Sequence, residues 1–310
     1  MPQKKRASSI ELSRLKVLAA GDEAAFLAHA LELLASGDRL AREAALAALV
    51  ARPLPAARDA LRALYARLDA DGLKLDQGAA MREMIVRILR AIGDTRDRDV
   101  AARASETVEI IMGQDIAWHL RVHGLRMLVE IAPDVFPYYA VEHLDDHAGT
   151  DGEPANTAFQ LLAGTGHHLS IYQWLIAADR DPALVAGAFE LLAAGPREIA
   201  GRFAINAIET TIRRADDALS TVLAEAIVSL ELEAAYPALG RLMSGKLSDE
   251  LYNYLAVLLA GTNRPSLLAI LEDQLHRGRH PRVVADALRI RTTPEQAAIL
   301  GRWEDGGGPS

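Results

Sequence analysis

Ala158-Phe159-Gln160-Leu161-Leu162-Ala163-Gly164-Thr165 returns thirty residues later as Ala188-Phe189-Glu190-Leu191-Leu192-Ala193-Ala194-Gly195, with a fainter echo at Leu258-Leu259-Ala260-Gly261-Thr262. Each copy reads as the apolar end of a helix closed by small residues. Helix-length units that recur at about this period predict a stacked α-solenoid, in which each unit buries its apolar face on its neighbours.

Outward from this repeat the helical period is sharpest in Met81, Met84, Ile85, Ile88, Leu89 and Ile92, which fall at i, i+3, i+4, i+7, i+8 and i+11. That spacing is one apolar stripe along a helix. Shifted back forty places, Arg82-Glu83-Met84-Ile85 lies on Arg42-Glu43-Ala44-Ala45; shifted forward thirty-nine, Arg82 lies on Arg121, Arg87 on Arg126 and Ile88-Leu89 on Met127-Leu128. Asp38, Asp76, Asp115, Asp151, Asp181, Asp216, Ser248 and the His280-Pro281 step each precede an apolar-periodic run. An Asp or Ser side chain accepts from unpaired backbone N–H groups at a helix start, and Pro suits the first helical position. These eight marks predict eight units. Between them lie a further set of helices, near 24–36, 56–69, 97–112, 134–145, 169–178, 197–213, 233–244 and 265–277. Nothing alternates with period two over a useful length, so no sheet is expected.

Asp38 with Arg42-Glu43, Asp76 with Arg82-Glu83, Asp181-Pro182-Ala183-Leu184-Val185 and Pro281-Arg282-Val283-Val284 resemble HEAT-like repeats, whose second helix opens with Asp and carries Arg near its first turn. The resemblance spans roughly 20–292 and implies an all-α, right-handed α-α superhelix of about eight helix pairs. It also implies a scaffold whose second helices line the concave face. It implies no particular activity. The expected organisation is a basic tail and capping helix over 1–19, the repeat array over 20–292, and a C-terminal segment over 293–310 that is disordered from Glu304. The Asp- and Gly-rich loops 70–78 and 146–154 are the best candidates for an angular break.

Composition narrows the function classes. There is no cysteine, which excludes disulfides, thiolate zinc ligation and thiol catalysis and fits a cytoplasmic location. The opening Met-Pro-Gln-Lys-Lys-Arg has no apolar run after it, so neither export nor a membrane span is expected. The net charge of −8 is unevenly placed. Residues 1–16 carry five basic side chains against Glu11, and 277–291 carry Arg277, Arg279, Arg282, Arg289 and Arg291 against Asp286, a net +4 each. The body between them, 17–276, is −14, a field that repels a phosphate backbone.

Few residues suggest chemistry. His143 and His147 have the i, i+4 spacing of a metal pair, but two ligands make no site, and the bland reading is a polar helix end. There is no Gly-rich phosphate loop, nucleophile elbow or paired-carboxylate arrangement, so no catalytic residue, metal or cofactor is assigned. The residues singled out are Arg82, Arg87, Trp118, His119, Arg121, His123 and Arg126, several of which occupy equivalent positions of adjacent units. They predict a non-enzymatic module that binds a protein partner, as yet unidentified, on the second-helix surface. The alternative is a nucleic-acid binder or an enzyme resembling the HEAT-like alkylpurine DNA glycosylases, for which Trp118, Trp174, Asp115, Arg121 and Arg126 would be the residues, against the opposing field of the acidic body.

Overall fold

A computed structural model describes residues 13–15, 17, 18, 20–177 and 180–306. The chain is almost wholly helical over these residues, as expected, and no helix among them is long and apolar enough to cross a membrane. Of the basic tail and capping helix expected over 1–19, residues 1–12, 16 and 19 lie outside the described residues; Leu15 is in helix and fully buried. The chain divides into two compact units, with the boundary in sequence between Thr165 and Gly166. The loop 146–154 therefore lies inside the first unit.

In the first unit the helices form two rows. Arg39–Ala51, Ala80–Ile92, Trp118–Ile131 and Ala155–Gly164 pack each on the next, while Glu23–Ala35 packs on Arg58–Asp69, and Arg98–Glu106 on Phe136–Glu142. The apolar stripe read from the sequence is what joins the rows: Met81, Ile85, Ile88 and Leu89 are fully buried. Polar ties accompany it on the other row, where Arg58 Nε and Arg62 Nη1 each donate to the buried Asp97 carboxylate at 3.1 Å. The closest approach is at Gly124, where a Cβ would stand 2.5 Å from the backbone N of Ser105. Only hydrogen at that position lets Trp118–Ile131 and Arg98–Glu106 touch backbone to backbone.

The second unit repeats the plan. Pro182–Ala193, Asp217–Ser229, Asp249–Gly261 and Pro281–Arg289 form one row, and His168–Ile176, Arg197–Arg214, Tyr236–Met243, Pro265–Arg277 and Pro294–Asp305 form the other. One buried amide bridges the rows: Gln274 Oε1 accepts from Tyr252 Oη of the other row at 3.2 Å, while its Nε2 donates to Ser244 Oγ in its own row at 2.9 Å. Tyr252 is buried and Tyr254 exposed, as their positions on one helix require.

Several expected boundaries move. Asp38, Asp216 and Ser248 cap their helices, accepting from the N–H groups of Leu40, Leu219 and Leu251. Asp115 does not: the preceding helix stops at Glu106, and Ile110–Ile111 pairs with Gln114–Asp115 in a short antiparallel hairpin. The expectation of no sheet is corrected at this one place. The turn Met112-Gly113 has φ of 51° and 78°, positive at both residues, which matches the twist of a two-residue hairpin. Asp151 likewise lies outside its helix, which starts at Ala155. The C-terminal segment is ordered further than expected. Pro294–Asp305 is a helix whose start carries a capping box, Thr293 Oγ1 accepting from Gln296 N while Gln296 Oε1 accepts from Thr293 N, and its Trp303 is buried. The spacing Thr293-x-x-Gln296 was the sequence signal for it. Residues 307–310 lie outside the described residues.

Two glycines test this packing in opposite directions. Gly124→Ala should lower stability by about 1–3 kcal/mol, because the added methyl forces two helices apart. Gly187→Ala, exposed in mid-helix with nothing within 4 Å of its Cβ position, should raise stability by about 0.5–1 kcal/mol. Thermal midpoints read both, and an unchanged midpoint for Gly124→Ala would contradict the close contact.

Candidate functional site

The seven residues singled out from the sequence divide into two groups in the structure. Arg82 and Arg121 are each 1% exposed. Arg82 Nε donates to Asp76 Oδ2 at 3.2 Å, its Nη1 to Asp69 Oδ1 at 3.3 Å, and its Nη2 to Glu109 Oε1. The Asp76 carboxylate also accepts from the N–H groups of Met81 and Arg82, capping the helix from three residues ahead of its N-cap position. Arg121 repeats the arrangement one unit on: its Nε and Nη2 fork onto Asp146 at 2.8 and 3.1 Å, and its Nη1 donates to the carbonyl of Thr107 at 2.9 Å and pairs with Asp115. Burial works to raise the Asp146 pKa, but hydrogen bonds from His143 and Arg121 outweigh it and hold the carboxyl below its ordinary range. The expectation that Arg82 and Arg121 meet a partner is corrected, since both guanidiniums are enclosed and committed to internal acceptors.

The other five remain within reach of solvent. Glu83, one turn from the start of Ala80–Ile92, is where three of them meet. His123 Nε2 lies 3.3 Å and His119 Nε2 3.6 Å from its carboxylate, both from the neighbouring second helix, and Arg87 Nη1 lies 3.4 Å from it on its own helix. The i, i+4 spacings of Glu83 to Arg87 and of His119 to His123 place each pair on one helix face. The hydrogen bond from His123 is the main reason the Glu83 pKa is lowered; partial burial opposes it. Trp118 stands edge-on to His119 at 5.7 Å and packs over Gly149, where a Cβ would lie 2.4 Å from the indole. Arg126 continues the surface onto a third second helix, reaching Thr157 Oγ1 at 3.5 Å. Trp118, His119, His123 and Arg126 are half-buried and Arg87 is exposed. The result is a mixed charged and aromatic strip crossing the second-helix row of the first unit. Glu83 is the residue that organises it, and its place in the Arg82-Glu83 pair was the signal in the sequence.

Other candidates fall away. His143 ends up bound to Asp146 through Nδ1 at 3.1 Å, and the helix ends at Glu142, so His143 and His147 share no helix face. No group of three metal-ligating side chains occurs among the described residues. The C-terminal arginines are largely paired: Arg277 with Asp273, Arg279 with Asp249, and Arg289 with Asp286 and Glu304. The second unit holds a cleft of ≈ 540 Å³ lined by Tyr172, Ile176, Phe203, Thr210 and Arg213 among others. Its residues come from successive helices between 172 and 219 and carry no shared motif.

Arg82→Ala would strand Asp76 and Glu109, both buried, and should destabilise by about 3–5 kcal/mol, whereas Arg87→Ala should change stability by under about 1 kcal/mol. Denaturant midpoints separate the two. Because folding lowers the Glu83 pKa from its ordinary 4.5, its contribution is complete above that value and is lost as pH falls through the lower folded value. The stability difference between the native chain and Glu83→Gln should therefore be larger at about pH 5.5 than at about pH 3.

No protein-family model matches this chain, and no curated protein matches it either.

Proposed function

We propose that the chain is a HEAT-like α-solenoid that acts without catalysis, as a cytoplasmic module binding a protein partner on its second-helix surface. The observation that carries this reading is the strip on the first unit, where Arg87, His119 and His123 converge on Glu83 from adjacent second helices and Trp118 and Arg126 extend the strip beside them. Aromatic and Arg side chains held by packing, with polar groups around them, are the usual anchors of a protein interface. The two-row packing of helices in each unit supports the solenoid part of the proposal. The Asp-to-Arg ties at Asp76–Arg82 and Asp115–Arg121 support the HEAT-like part.

In the second-helix row of the first unit, Glu83 tempers the cationic character of the strip, and Glu130 likewise neutralises Arg90. This mixture favours a protein surface of mixed charge over the uniform polyanion of a nucleic acid.

Capture on the immobilised full chain, with nuclease treatment and mass spectrometry, tests the proposal. Arg87→Glu, His119→Gln and Arg126→Glu combined, with an unchanged circular dichroism spectrum, should abolish retention of proteins that the native chain holds after nuclease. Retention that nuclease removes, or that the triple variant keeps, would overturn the assignment of this surface.

A further inference from the structure

The buried Arg82 cluster also underlies a second surface, separate from the strip around Glu83. A groove of ≈ 400 Å³ in the first unit is lined by two chain stretches, Asp71 to Leu73 and Glu106 to Ile110, and completed by Asp69, Arg82 and Arg103. Gly72 lies directly on the ion pair beneath, where a Cβ would stand 2.6 Å from Arg82 Nη2. The short hairpin forms the rim.

Two features mark this groove. The first is apolar. Leu73, Val108 and Ile110 are 49%, 59% and 54% exposed, and Met112 at the hairpin turn is 99% exposed. Val108 and Ile110 alternate with the inward Thr107 and Glu109, so they share one side of an extended strand. Glu109 O accepts from Ile116 N across the hairpin, which turns the backbone groups of Val108 and Ile110 toward the outer edge. The second feature is charge. Both guanidiniums in the groove are already committed, Arg103 to Asp69 at 2.8 Å and Arg82 to Asp69, Asp76 and Glu109. Asp71 and Glu106 are exposed and form no ion pair among the described residues, while Glu109, 6% exposed, has its second oxygen buried without a hydrogen-bond partner there. The groove thus combines surplus negative charge, an open strand edge and aliphatic side chains at alternate positions.

We propose that this groove binds an extended segment of a partner protein carrying Lys or Arg between aliphatic residues. Such a segment adds to the outer edge of residues 108–111 through its backbone. Its aliphatic side chains cover Leu73, Val108 and Ile110, and its cation meets Asp71 and Glu106. Charge complementarity selects the occupant: an acidic segment would face uncompensated carboxylates, and a purely apolar one would leave them desolvated. The proposal stands independently of the strip around Glu83.

Randomised seven-residue peptides displayed on phage, panned on the immobilised full chain, test it. Enrichment of Lys or Arg flanked by aliphatic residues is expected. The best peptide should bind at least ~10-fold more weakly to Asp71→Lys/Glu106→Lys, two exposed substitutions, and equally well to Arg87→Glu/Arg126→Glu. Adding that peptide to the native chain should slow hydrogen exchange at the amides of Val108 and Ile110. No enrichment, enrichment of acidic peptides, undiminished binding to the lysine variant, or exchange at 108–110 left unprotected would each overturn the proposal.

Discussion

A guanidinium removed from water survives only where enough acceptors surround it, and this requirement governs the first unit at Arg82 and again at Arg121. Each Arg holds three separate stretches of chain at once. Arg82 joins Asp69 at one helix end, Asp76 ahead of its own helix, and Glu109 in the hairpin. Arg121 joins Thr107 and Asp115 on either side of that hairpin to Asp146 in the next loop. Loops that would otherwise be free to vary are fixed because a buried charge must be met from every side. The hairpin itself lies between the two clusters and is held at both ends.

That arrangement separates the interior from the surface along a single helix face. Arg82 and Glu83 are neighbours in sequence, but one points into the loops and the other toward solvent, where His119, His123 and Arg87 converge on it. The depressed pKa of Glu83 is the electrostatic signature of this convergence. Because these side chains come from two helices, the strip exists only when the second-helix row is assembled. A surface of this kind reports the register of the repeat more than the identity of any one residue.

The hairpin gives the same unit a different sort of surface. Its pairing is only two residues long, and its turn places Met112 wholly in solvent. Arg82 and Arg121 supply the order that so short a ladder could not supply alone, since an isolated two-stranded ribbon is at best marginal in water. Its open edge therefore stands beside fixed carboxylates, and polarity and shape at the groove are set from below.

The chain's helical character, the approximate starts of its units and the apolar stripe at Met81 to Ile92 were legible in the residues alone. Each depends on local spacing: a 3.6-residue period, and an Asp or Ser able to cap the next turn. The final helix went unread, although Thr293 and Gln296 stand at the spacing of a capping box. Whether Arg82 and Arg121 faced a partner or the interior was not legible, because helical period places Arg82 beside both Met81 and Glu83 and does not say which neighbour it follows. The hairpin was likewise hidden, since Asp115 reads as a cap until Arg121 and Glu109 compete for its carboxylate. By itself the sequence determined what each segment could be, through backbone propensity and periodicity. Tertiary structure alone decided which charges were buried and which converged at the surface, because desolvation and pairing depend on groups tens of residues apart being brought within a few ångströms.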